Sequence, residues 1–155
     1  MEIMHPEDVK YIIVHHTQRK KDFPAYIRLR HVHLRGWEHI GYHYIIGRGR
    51  PFTRAGRVYA CRPESHVGAH ALGYNRNSIG VCLIGDMDKQ RPTHKQIVSL
   101  VAFLKEKMSQ YGIPAQNVLG HCEIPGVSKS CPGRNVNMAS IREALSGVVS
   151  IPCRE

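Results

Sequence analysis

At 155 residues, with 42% hydrophobic side chains, the chain can bury a core of its own without a disulfide framework. Its formal net charge of +10 suits polyanionic partners, yet the basic residues are dispersed and no nucleic-acid-binding motif accompanies them, so no nucleic-acid partner is expected. No apolar run reaches the roughly 18 residues of a membrane span, and Met1 to Pro6 lacks the basic and apolar regions of a secretory signal. The expectation is one monomeric domain over residues 1–155, with its core at about 9–146, made in the cytoplasm and not held in a membrane.

The first strand is expected at Val9 to Val14, a run of β-branched and aromatic residues that ends at His15-His16-Thr17. A helix follows from about Pro24 to Gly36, with Ile27, His31 and Leu34 at helical spacing. Tyr42 to Ile46 reads as a second strand, Gly47 to Gly56 as turns, and Arg57 to Cys61 as a short third strand. Ile79 to Ile84 is nearly all apolar, as in a strand buried on both faces. Thr93 and Gln96 form a capping-box signature ahead of an amphipathic helix. Its apolar positions are Ile97, Leu100, Val101, Leu104, Met108 and Tyr111, and Gly112 and Pro114 stop it. A strand at Asn117 to Gly120 carries His121 at its end, and a last helix runs from about Met138 to Ser146. Strands alternating with helices give an α/β class: one mixed central sheet flanked by helices.

Five cysteines are an odd number, which argues for metal ligation or plain burial rather than paired bridges. Eleven histidines invite a search for a metal site. His15 closes the first strand, His121 closes a late one, and Cys131 follows ten residues later. Two imidazoles and a thiolate make a three-ligand zinc set whose fourth position stays open, as in catalytic sites. The other candidates have plainer readings. Cys82 is expected to be a core thiol, and Cys122 to pack away from the metal. Cys61 and Cys153 carry no functional signal. His43 and His66 are expected to be structural or solvated, and Trp37 and Tyr74 either stack on sugar or pack.

Five blocks carry a resemblance. They are Ile13-Val14-His15-His16-Thr17, Gly41 to Ile46, Val67 to Asn75, Asn77 to Gly85, and Gly120-His121-Cys122-Glu123 through Cys131-Pro132-Gly133. Their order resembles the type-2 N-acetylmuramoyl-L-alanine amidases, a family that includes amidases of T-odd phages and the animal peptidoglycan recognition proteins. The resemblance covers roughly residues 9–146. It implies His15, His121 and Cys131 as ligands of one zinc ion, with Tyr42 beside the attacking water and Lys129 as the essential lysine. His70 and Asn75 fall in a block that borders the substrate groove. Each is a candidate substrate contact, with packing or loop polarity as the alternative.

The implied activity is hydrolysis of the amide between muramic acid and L-alanine in peptidoglycan, by a phage or prophage endolysin that acts on the wall. One departure matters. The spacing from His121 to Cys131 is longer than in the phage amidases and matches cytosolic recycling amidases, whose third ligand is Asp. A recycling amidase acting on anhydro-muropeptides is therefore the alternative enzyme. A non-catalytic peptidoglycan-binding module is the alternative from another class.

Overall fold

The computed structural model describes residues 1–147. Five strands form one sheet in the order β3-β2-β4-β1-β5. They are β1 (Tyr11–His16), β2 (Tyr44–Ile46), β3 (Val58–Ala60), β4 (Ser78–Leu83) and β5 (Val118–Gly120). The β1–β4, β1–β5 and β2–β4 pairs are parallel and β2–β3 is antiparallel, so the sheet is mixed, as expected. Three helices accompany it: α1 (Pro24–Arg28), α2 (His94–Tyr111) and α3 (Met138–Leu145). No helix among the described residues is long and apolar enough to cross a membrane.

Side chains alternate across the sheet with period two, and this divides the molecule. Ile12 and Val14 of β1, with Ile79, Val81 and Leu83 of β4, share a core with Leu100, Phe103 and Leu104 of α2 and Met138 and Ile141 of α3. On the opposite face Ile13 packs with Ala71 and Ile124, while Ile45, Cys82 and Ile84 pack with Ile27 of α1. Cys82 is thus a core thiol, as its apolar strand implied. The face opposite α2 is covered by loops and the short α1, and loops can be shaped into a groove.

The central strand differs from the expectation by two residues. It runs from Tyr11 to His16, so both histidines lie within the ladder. The backbone of Lys10 is already engaged by Asn77, whose carbonyl accepts from the N–H groups of Lys10 and Tyr11. The helix expected over Pro24 to Gly36 also changes form. It is α-helical only to Arg28 and then π-helical from Leu29 to Leu34, with the Arg35 N–H reaching the Arg30 carbonyl. The wider turn shifts the phase of the apolar stripe. Ile27 and His31 stay buried, and Leu34 swings out to 74% exposure.

The long helix α2 follows its sequence signature. The Thr93 hydroxyl accepts from the Gln96 N–H at 3.1 Å, and the Gln96 side chain accepts from the Thr93 N–H at 3.1 Å. Gln96 does more than cap. Its Nε2 donates to the carbonyls of Ile84 at 2.9 Å and Ile46 at 3.4 Å, pinning the helix start to the ends of two strands. Gly112 ends the helix with φ 65°, a left-handed conformation that suits glycine. Loss of the cap in Thr93→Ala is expected to lower stability by about 1 kcal/mol. Gln96→Ala should cost more, because it also leaves a buried carbonyl unpaired. Urea unfolding of the two variants checks the order, and an equal loss would contradict the pinning role.

Candidate metal centre and active-site groove

Strand β1 delivers its two histidines to opposite sides. His16 Nδ1 accepts from the Met87 backbone N–H at 3.0 Å, on the side of the α2 core. His15, 2% exposed, points the other way, to the floor of a groove of about 990 Å³. There one potential ligand atom from each of His15, His121 and Cys131, a ring nitrogen or the sulfur, lies within 4.8 Å of the other two. The Cys131 Sγ stands 3.6 Å from His15 Nδ1. A tetrahedral ion with the usual zinc–nitrogen and zinc–sulfur bonds holds such a pair about 3.6 Å apart. The residues present therefore fit a zinc ion on donor chemistry and on spacing.

Each member is held by its own local structure. His121 lies in a 3-10 turn, His121–Glu123, just beyond β5 rather than within it. Glu123 fixes this turn by accepting from the Gly120 N–H at 3.1 Å and from both terminal nitrogens of Arg142 on α3, at 2.7 and 2.9 Å. Cys131 comes from a loop clamped by a second loop. Asp88 accepts from the Ser130 hydroxyl at 2.6 Å and the Arg134 N–H at 2.9 Å, and the Met87 carbonyl accepts from the Asn135 N–H at 2.9 Å. Gly133 leaves room for this contact, since a Cβ there would come within 2.5 Å of Met87. The Cys122 N–H donates to the Cys131 carbonyl at 2.6 Å and closes the base of the intervening loop. Cys122 itself is exposed and stands outside the cluster.

The electrostatics suit a cation. Burial, followed by the neighbouring His70, His121 and His16, holds His15 well below the ordinary imidazole range. His121 is lowered by burial and by Lys129. Both rings are thus neutral and keep a lone pair for a metal. Burial pushes the Cys131 thiol up to about 12, while the His16 backbone N–H acts in the opposite sense. Without a metal this thiol stays protonated at neutral pH, so binding must expel a proton.

The remaining expected residues gather here to different degrees. Tyr42 precedes β2 at a bend, with its ring 5.2 Å from that of His15. Burial and then the Cys82 and Cys131 sulfurs hold its hydroxyl protonated. Lys129 lines the groove beside His121. His70 and Asn75 also line it, but both are engaged within the protein. The Asn75 Oδ1 accepts from the N–H groups of His70 and Ala71, each at 2.8 Å. His43 is structural, accepting from the Gly80 N–H at 3.0 Å and donating to the His66 carbonyl at 2.9 Å. Tyr74 packs edge-on against Tyr11. Trp37 packs on His31 at 4.7 Å and also lines the groove. Cys153 lies outside the described residues.

Sequence reasoning missed the cationic rim. Arg19, Arg30 and Arg35 join Lys129 along the groove, and among the described residues no carboxylate lines it. Arg30 is oriented by the buried Asp22, which accepts from its two terminal nitrogens at 3.1 and 2.5 Å. Gln18, next to β1, takes a left-handed backbone at φ 59° and lines the groove too. The dispersed placement of these residues in the chain gave no sign that they would converge.

Comparison with known proteins now bears on this geometry. Residues 5–134 match the family described as N-acetylmuramoyl-L-alanine amidase. The chain belongs to this family. It is 36% identical over 133 residues to the endolysin of Escherichia phage T7, covering 81% of this chain and 82% of that protein. Among solved structures, the N-acetylmuramoyl-L-alanine amidase LysC from Clostridium intestinale superposes with a TM-score of 0.81 at 29% identity, covering 94% of this chain and 91% of LysC. A Drosophila PGRP-LB variant in complex with tracheal cytotoxin superposes with a TM-score of 0.73 at 28% identity, covering 90% and 83% of the two chains.

A pH prediction follows from the buried imidazoles. Burial is the main cause that lowers His31 and His43 from the usual 6.5 to about 4. Below pH 6.5 the unfolded chain takes up protons that the folded chain refuses, so stability is full above 6.5 and falls as pH drops toward 4. Urea midpoints measured at pH 7.5, 6 and 4.5 should decline steadily. A flat profile over this window would contradict the neutral assignment of these rings.

Proposed function

We propose that this chain is a zinc-dependent N-acetylmuramoyl-L-alanine amidase of the endolysin kind, which hydrolyses the amide between muramic acid and L-alanine in peptidoglycan. The observation that carries this reading is the convergence of His15, His121 and Cys131 on the groove floor, with Tyr42 and Lys129 beside them. His15, His121 and Cys131 hold the ion, and when bound it supplies Lewis acidity and activates water near neutral pH.

The other roles belong to the chain's own groups. Tyr42, kept protonated, is placed to orient the water by its hydroxyl. Lys129 is a cation beside His121, placed to stabilise the negative charge that grows on the scissile carbonyl oxygen. The carboxylate-free rim of Arg19, Arg30 and Arg35 attracts an acidic peptide stem and raises its local concentration. One domain over residues 1–155, acting as a monomer, suffices for this chemistry. The phage relatives support polymeric wall as the substrate, and the PGRP-LB complex with tracheal cytotoxin supports a ligand for this fold.

Mass spectrometry of digested cell wall tests the proposal. The expected products are intact glycan and free peptides with a new N-terminal alanine. Cys131→Ala should be inactive and depleted of zinc. Lys129→Ala should keep its zinc and lose roughly 10²–10³ in rate. Walls left uncut would sink the endolysin reading, and a strong preference for soluble anhydro-muropeptide over wall would replace it with a recycling amidase. A purified protein with near-zero zinc and no cleavage would point to a binding module.

A further inference from the structure

His70 is engaged in a way that substrate contact does not explain. Its Nδ1 lies 2.9 Å from His15 Nε2, and its Nε2 lies 3.5 Å from the Ser78 hydroxyl. Two imidazole nitrogens at hydrogen-bond distance share one proton, so one ring donates and the other accepts. Ser78 decides the direction. Its hydroxyl proton is committed to the Tyr74 carbonyl at 2.6 Å, which leaves the oxygen as an acceptor. His70 must therefore carry its proton on Nε2, facing Ser78. The opposite tautomer would aim a lone pair at a hydroxyl oxygen whose proton is already given to Tyr74. His70 Nδ1 is then an acceptor, and the proton between the two rings belongs to His15 Nε2. That leaves the His15 lone pair on Nδ1, the nitrogen 3.6 Å from the Cys131 sulfur.

The ring that relays this preference is itself held in place. A Cβ at Gly80 would lie 2.6 Å from the His70 ring, and one at Gly68 would lie 2.5 Å from it, so the imidazole fills the space that two glycines leave. The paired backbone bonds to Asn75 fix the chain on which it stands.

We propose that His70 is a positioning residue for the metal centre: a one-way relay from Ser78 through His70 sets the tautomer of His15, so that Nδ1 is the ligating atom. Asn75 supports His70 in this role by holding its backbone. The inference rests on the zinc reading of the site only for its consequence, since the tautomer itself exists in the metal-free protein. Groups of this kind, hydrogen-bonded to a ligating histidine, typically change metal affinity by roughly 10- to 100-fold when removed.

The test uses two variants and two readouts. His70→Phe keeps a ring between the glycines and removes the acceptor. His70→Asn keeps an acceptor near the Nδ1 position. Titration with zinc ion should show a dissociation constant roughly 10- to 100-fold higher for His70→Phe, with His70→Asn recovering much of the loss. Long-range ¹⁵N–¹H spectra of the metal-free wild type should show His15 protonated on Nε2, and zinc should shift Nδ1. If His15 is protonated on Nδ1, or if His70→Phe binds zinc as the wild type does and only raises KM, the proposal is overturned. If the wild type takes up no zinc at all, the zinc reading fails. The spectrum of the metal-free wild type still decides the relay, and it does so even where His70→Phe does not fold.

Discussion

Everything at the candidate centre depends on the alternation of side chains along β1. This strand is hydrogen-bonded on both edges, to β4 and to β5, so its register cannot slip without breaking two ladders. With that register fixed, Ile12 and Val14 enter the core under α2 and α3, and His15 must emerge on the opposite face. A shift by one residue would turn His15 toward the α2 side, where His16 now accepts from the Met87 N–H, and take it out of the groove. The two ladders that flank β1 thus hold the metal candidate on the groove side.

The same strand also organises Cys131, the third candidate ligand, from a distance. His16, sent to the other face, accepts the Met87 N–H, and the loop around Met87 and Asp88 grips the segment from Ser130 to Asn135. Cys131 therefore reaches His15 through the partner histidine's own contacts. The adjacent His15 and His16 serve two ends of one arrangement: the first faces the groove, and the second fixes the loop that completes it. The cationic rim adds a further layer, because the same walls that bury the histidines and keep them neutral also carry Arg30 and Arg35.

Much of this was legible in the residues. The β-branched run of β1, the apolar run of β4 and the capping box of α2 state their conformations through local chemistry, and the mixed sheet follows from their order. Boundaries moved by one or two residues where backbone partners outside the element decided them, as Asn77 does at Lys10. The π-helical turn after Arg28 was not legible, since Ile27, His31 and Leu34 fit an ordinary helical stripe and only packing shows which turn is wide. At the site, the five blocks carried His15, His121, Cys131, Tyr42 and Lys129 as a family pattern. The hydrogen-bond directions at Ser78 and His70 were invisible, because they depend on which oxygen of the fold stands beside each nitrogen. The arginines of the rim were equally hidden, because nothing in the sequence says that the segment from Arg19 to Arg35 lies along the groove that holds Lys129.

The hydrogen bond from Cys122 to the carbonyl of Cys131 has a consequence for how such chains diverge. It closes the excursion from 122 to 131 at its base, next to His121 and Cys131, so the placement of these two side chains is insulated from what the loop contains. Lengthening a closed loop costs little, about 0.6 kcal/mol for each doubling. A longer or shorter loop at this point would therefore leave His121 and Cys131 where they stand.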